Sequence, residues 1–177
     1  MQTRRICIVG SESTGKTTLA IDLAKYYQTC WVPEYGRIYT EGRIYTAHGS
    51  WESREFTHIA LMQNAFEDAL AKVANRILIC DTDAFATGIW HEKYMGFESA
   101  EVKKLYKNRM FDLYIVTDPQ TPYAKDDIRV GEDSRAWMHN RFITELEKEG
   151  KNYVEVKGSR EERQKKAIIS IDTILKS

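Results

Sequence analysis

The stretch Arg5-Ile6-Cys7-Ile8-Val9-Gly10-Ser11-Glu12-Ser13-Thr14-Gly15-Lys16-Thr17 decides the fold. It opens as a short apolar strand that stops at a glycine. Gly10 to Thr17 then fit G-x-x-x-x-G-K-[ST] at every fixed position. A chance match in a chain of this size has a probability of roughly one in a hundred or less. From Thr17 to Gln28 the spacing turns helical, with Leu19, Ala20, Leu23 and Ala24 on one side. Strand, glycine-rich turn and helix in that order make a phosphate-binding loop.

Each loop position has a chemical reason. Gly10 and Gly15 allow backbone conformations in which successive N–H groups face phosphate oxygens. The helix N-terminus adds its positive dipole end. Lys16 is expected to reach the β- and γ-phosphates of ATP, and to face solvent when no nucleotide is bound. The Thr17 hydroxyl is expected to ligate Mg²⁺. Gly10, Ser13, Thr14, Gly15, Lys16, Thr17 and Thr18 are the candidate ATP-binding residues.

Outward from the loop, apolar runs alternate with helical patterns. Short runs fall at Thr29–Pro33, Ile77–Cys80, Leu113–Val116 and Tyr153–Val156. Helical spacing covers Glu34–Ala47, Trp51–Asn75, Ser99–Arg109 and Asp133–Glu149, the last closing at Gly150. Ser159, with Glu162 three residues on, caps a final helix reaching Leu175. The pattern predicts an α/β fold: a five-stranded parallel sheet with helices on both faces. No linker or low-complexity tract divides the chain, so residues 1–177 read as one domain. Gly36-Arg37-Ile38-Tyr39-Thr40 is followed by a near-copy, Gly42-Arg43-Ile44-Tyr45-Thr46, too few copies for a repeat fold.

Composition removes several function classes. The 177 residues hold 26 Lys plus Arg and 26 Asp plus Glu, a net charge of zero, which disfavours a general nucleic-acid binder. No apolar stretch is long enough for a membrane span, and the N-terminal apolar run is too short for a signal peptide. A cytoplasmic location is expected. Cys7, Cys30 and Cys80 are odd in number and far apart, so they read as reduced core thiols. The oligomeric state is open.

In an open α/β sheet, ligands bind outside the carboxyl ends of the strands. Glu34, Asp81, Asp83 and Asp118 all follow strand signals there. Asp81 reads as the Mg²⁺-organising acid. Thr82 follows it, in place of the glutamate that many hydrolytic ATPases use to activate water, which argues against an AAA+ motor. The absence of N-K-x-D and D-x-x-G argues against a GTPase. Glu34 is a candidate proton acceptor for a substrate hydroxyl, with Asp83 as its rival. The polar segment at about 119–136 reads as a short lid, in which Arg129 and Arg135 are candidates to neutralise the transferred phosphoryl group. The alternative is a solvated loop.

Pro33-Glu34-Tyr35-Gly36-Arg37, Ile79-Cys80-Asp81-Thr82-Asp83 and Asp126-Asp127-Ile128-Arg129, joined to the phosphate loop, resemble the ribosylnicotinamide kinase domain of NadR-type proteins. Trp51, Phe56, Ile59, Ala60, Gln63, Ala86, Thr87 and Trp90 extend the resemblance over nearly the whole chain. It implies a P-loop kinase fold and transfer of the ATP γ-phosphoryl group to the 5′-hydroxyl of nicotinamide riboside, giving nicotinamide mononucleotide. It places Glu34, Tyr35 and Arg37 in the riboside site, and Asp81 and Asp83 near Mg²⁺ and the ribose. Two departures stand out. No H-x-G-H nucleotidyl-transfer sequence is present, so synthesis is expected to stop at the mononucleotide. Pro33 occupies a position where the family often has tryptophan, and the nearest tryptophan is Trp31. The alternatives are a deoxynucleoside or other nucleoside kinase, and a regulatory NTP-binding module.

Overall fold

The computed structural model describes residues 3–46, 49–119 and 133–176. The β-branched and apolar runs form five strands: β1 (Arg4–Val9), β2 (Trp31–Val32), β3 (Ile77–Asp81), β4 (Leu113–Thr117) and β5 (Tyr153–Val156). They make one sheet in the order β2-β3-β1-β4-β5, and every pairing is parallel. The helices are α1 (Lys16–Tyr27), α2 (Tyr35–Thr46), α3 (Ser53–Leu70), α4 (Ala84–Met95), α5 (Ala100–Tyr106), α6 (Asp133–Lys148) and α7 (Arg160–Lys176).

Both sheet faces are buried, which explains the continuous apolar strands. In β1, Ile6 and Ile8 pack with Leu19, Leu23 and Ile171, on the side of α1 and α7. Cys7 and Val9 point the other way, against Ile89, Met138 and Phe142 of α4 and α6. Cys7 and Cys80 are fully buried, and burial pushes both thiols well above their usual pKa. Cys30 is half-buried just ahead of β2.

The predicted elements are present, with three differences: α3 ends at Leu70 rather than reaching Asn75, and the other two concern β2 and α4. β2 is shorter than the apolar run Thr29–Pro33, because it lies at the sheet edge and pairs only with β3. Helix α4 has no counterpart in the sequence reading. Its residues Ala84, Phe85, Ala86, Thr87, Ile89 and His91 are buried all round the axis, so it carries no one-sided periodicity. Gly88 looks like a helix breaker, yet a Cβ there would stand 3.0 Å from Tyr106 of α5. The glycine allows the two helices to approach.

Both copies of the Gly-Arg-Ile-Tyr-Thr sequence lie in α2. A six-residue step turns a helix by about 240° beyond a full turn, so the copies face different ways. Arg37 pairs on the surface with Glu41 at 3.0 Å. Arg43 instead lies 4.4 Å from the Trp51 ring centroid and bonds Glu55 at 2.7 Å. The predicted cap of α7 is formed: Glu162 accepts from the Ser159 N–H at 2.7 Å, and its own N–H donates to the Ser159 hydroxyl at 3.2 Å.

Candidate active site

The turn after β1 is held by close packing and by its own hydrogen bonds. Gly10 has φ +147°, and a Cβ on it would lie 2.2 Å from the Thr117 hydroxyl. No larger residue fits there. The Thr14 hydroxyl donates to the Ser11 carbonyl at 2.8 Å and meets the Thr117 hydroxyl at 2.6 Å. Thr117 in turn donates to the Val9 carbonyl at 3.2 Å. Gly15, at φ +80°, is the left-handed N-cap of α1. Lys16 does not face solvent: it is only 5% exposed, and its ammonium donates to the Ser11 carbonyl at 2.8 Å. The loop itself supplies that acceptor, which draws the side chain inward. Arg163 of α7 donates to the Thr14 carbonyl at 2.7 Å and lies against Gly15.

β3 neighbours β1, and Ile8 registers with Asp81. That register brings Asp81 to Thr17, whose hydroxyl donates to Asp81 Oδ2. A hydroxyl and a carboxylate side by side are hard oxygen donors, which suits Mg²⁺ held chiefly by phosphates and water. No group of three or more acidic, His or Cys side chains able to hold a metal occurs among the described residues, and a phosphate-held ion needs none.

Thr82 turns the chain between the two aspartates at φ +66°, a strained conformation for a β-branched residue. Asp83 then caps α4, its Oδ1 accepting from the Ala86 N–H at 2.9 Å. Oδ2 accepts from the Tyr114 hydroxyl, also at 2.9 Å. Only 1% of Asp83 is exposed, and burial raises its pKa to about 6 against these lowering contacts. Both oxygens of this rival base are therefore engaged inside the protein.

Glu34 sits between β2 and α2 and is half-buried; its side chain has no hydrogen bond or ion pair among the described residues. Tyr35 follows it, and its N–H donates to Gln63 Oε1 at 2.8 Å. The Gln63 amide nitrogen donates to the Thr82 carbonyl at 3.3 Å. Buried Gln63 thus ties the segment bearing Glu34 to the segment bearing Asp81 and Asp83. The sequence reading did not assign it this role, and the link has no local signature because it joins three separate elements.

Beyond Glu34, Tyr35, Tyr39, His58, Trp51, Tyr94 and Trp90 form a chain of ring contacts with centroids 5.6–6.4 Å apart. Trp31 is not part of it, because it packs against the α1 and α7 side of the sheet. Arg37 is exposed on α2. Arg135, in the first turn of α6, is buried. Arg129 and most of the lid segment, 120–132, lie outside the described residues.

The loop, the adjoining Thr17–Asp81 pair and the sheet order define a P-loop nucleotide-binding protein with a kinase-type fold. A family model described as an AAA domain matches residues 5–163, and the chain belongs to that family. The trifunctional NAD biosynthesis/regulator protein NadR of Salmonella typhimurium is 31% identical over 156 residues. That alignment covers 87% of this chain and 38% of the relative, so the chain spans well under half of the curated relative's length. A crystal structure of a NadR protein with NAD and AMP-PNP superposes with a TM-score of 0.81 at 22% identity, over 98% of this chain and 50% of that one. A NadR structure with NR gives 0.80 at 24% identity, over 98% and 52%. A thymidylate kinase from Ehrlichia chaffeensis gives 0.71 at 15% identity, over 97% and 99%. The NadR likeness read from the sequence therefore stands, and these structures fix the fold. Among the described residues, no helix is long and apolar enough to cross a membrane.

Proposed function

We propose that this chain is an ATP-dependent kinase that phosphorylates the 5′-hydroxyl of nicotinamide riboside to give nicotinamide mononucleotide. The observation that carries the reading is the pairing of two half-sites. Buried Gln63 bonds Tyr35, next to half-buried Glu34, and Thr82, next to the Asp81 that pairs with Thr17 of a complete phosphate loop. The relative named for NAD biosynthesis and the NadR structure with NR support the riboside as acceptor.

In this reading Lys16 exchanges the Ser11 carbonyl for phosphate oxygens. Thr17 and Asp81 would hold Mg²⁺, which would supply positive charge against the polyphosphate. Glu34 orients the acceptor hydroxyl and takes its proton. Phosphoryl transfer through a loose transition state needs little base strength, so position matters more than pKa. Asp83 acts from beneath the site, holding the start of α4 through Ala86 and the sheet through Tyr114. Arg135, with Arg129 of the lid segment, neutralises the transferred group. The chain of rings beyond Glu34 receives the base of the riboside by stacking.

The second reading, a deoxynucleoside kinase, is favoured by the likeness to a deoxyadenosine kinase structure, with a TM-score of 0.68 at 12% identity. A panel of ribosides and deoxyribosides with ATP and Mg²⁺ separates the two. Nicotinamide riboside is expected to give the fastest ADP formation, and preference for a deoxynucleoside would replace the first reading.

A further inference from the structure

The third residue of the phosphate loop is an acid. Glu12 is 1% exposed, and its carboxylate lies within a turn whose purpose is to attract phosphate. A buried anion there opposes polyphosphate binding unless a cation balances it. The balancing cation comes from α4. Lys93 Nζ stands 3.3 Å from Glu12 Oε1, with 8% of the Lys93 side chain and none of the Glu12 side chain exposed. The ammonium also lies 4.5 Å from the Trp90 ring centroid and 3.7 Å from Met138 Sδ, so α4 and α6 together enclose it. Burial lowers the Lys93 pKa, and Glu12 acts in the opposite sense by favouring the charged form. The pair is not saturated. Glu12 Oε2 and the neighbouring Ser11 hydroxyl are both buried without a hydrogen-bond partner among the described residues. An anion left half-satisfied at this depth makes its counter-charge more important, not less.

We propose that Lys93 is a positioning residue for nucleotide binding: it cancels the charge of Glu12 and so lets this acid-bearing loop accept a nucleoside triphosphate. The inference needs only ATP binding at the loop. Its readout is binding rather than transfer, so a wrong riboside assignment leaves it standing.

The test is calorimetric titration of the full chain with ATP and Mg²⁺, accompanied by thermal melts. Lys93→Met leaves Glu12 uncompensated, and ATP affinity is expected to fall about tenfold or more. Lys93→Arg keeps the charge and should bind within a few-fold of the parent. Glu12→Gln/Lys93→Met removes both charges and should restore affinity to about the parental value. A purely structural lysine gives the opposite pattern, in which the double variant binds as weakly as Lys93→Met or more weakly. That result overturns the proposal, as does unchanged affinity in Lys93→Met. If Lys93→Met does not fold, the double variant decides alone: parental ATP affinity upholds the counter-charge role, and lost affinity refutes it.

Discussion

The two halves of the proposed site are built by different means. On the nucleotide side, eight consecutive residues form a turn that largely holds itself, through Thr14 to Ser11, Lys16 to Ser11, and Gly10 against Thr117. On the proposed acceptor side, residues from distant segments must meet. Glu34 comes from the end of β2, the rings come from α2, α3, α4 and the α2–α3 connection, and Gln63 bonds both acid-bearing segments. A self-contained turn is readable as a motif. A surface assembled from four elements is specific only after folding, and changes at its edges are expected to be gentler.

The sharpest way to break the nucleotide half is Lys16→Ala. Its ammonium donates to the Ser11 carbonyl and supplies the loop's own cation, so turnover should fall ~10³-fold or more. The melting temperature should barely move, and single-turnover kinetics beside a thermal melt check both. Unchanged turnover would remove the phosphate-loop assignment.

On the acceptor half, Glu34→Gln should lower turnover ~10²-fold with the melting temperature unchanged. Asp83→Asn is the contrasting variant. It disturbs the α4 cap and the Tyr114 bond, costing about 1 kcal/mol or more in stability, with turnover affected less than in Glu34→Gln. Normal turnover in Glu34→Gln with an inactive, stable Asp83→Asn would exchange the two roles.

Gln63→Leu tests whether the halves are coupled. It leaves the Tyr35 N–H and Thr82 carbonyl without their partner, at a cost of about 1–3 kcal/mol. Displacing Glu34 relative to Asp81 should lower turnover roughly tenfold, with the loss in kcat larger than the change in KM for ATP. A variant with parental kinetics would show that the two segments hold position without the link.

The smallest effect concerns pH and lies away from the site. Glu67 of α3 has no exposed side-chain surface, and burial raises its pKa to about 8 despite Arg109 at 2.9 Å. The unfolded chain releases this proton near the ordinary glutamate value of 4.5, whereas the native state keeps it until about 8. Over that window the native state binds more protons, so Glu67's contribution to stability declines as pH rises. Asp83, raised from 3.8 to about 6, acts in the same sense over its lower window. Glu67→Gln should therefore gain stability relative to the parent between pH 5 and pH 8, measured by denaturant unfolding. A difference that shrinks with pH would refute the assignment.

The contrast between the halves also explains what the sequence revealed. Gly10–Thr17, the strand ends at Asp81 and Thr117, and the Ser159–Glu162 cap were legible because each depends on spacing within one segment. Helix α4 was not, because burial on all sides erases periodicity. The Glu12–Lys93 pair, the Arg163 contact with Thr14 and the Gln63 bridge join residues 19 to 149 positions apart, with no local pattern to find. Trp31 shows the opposite limit. It is close to Glu34 in sequence, but strand alternation sends it to the other face of the sheet.

The most direct test of the central claim is ADP formation by purified protein with ATP and Mg²⁺, with and without nicotinamide riboside, paired with mass detection of the product. The account predicts that the riboside stimulates turnover strongly and that each ADP is matched by one nicotinamide mononucleotide. ATP turnover unmoved by nicotinamide riboside or any other riboside would contradict it and make the chain a nucleotide-binding module rather than a kinase.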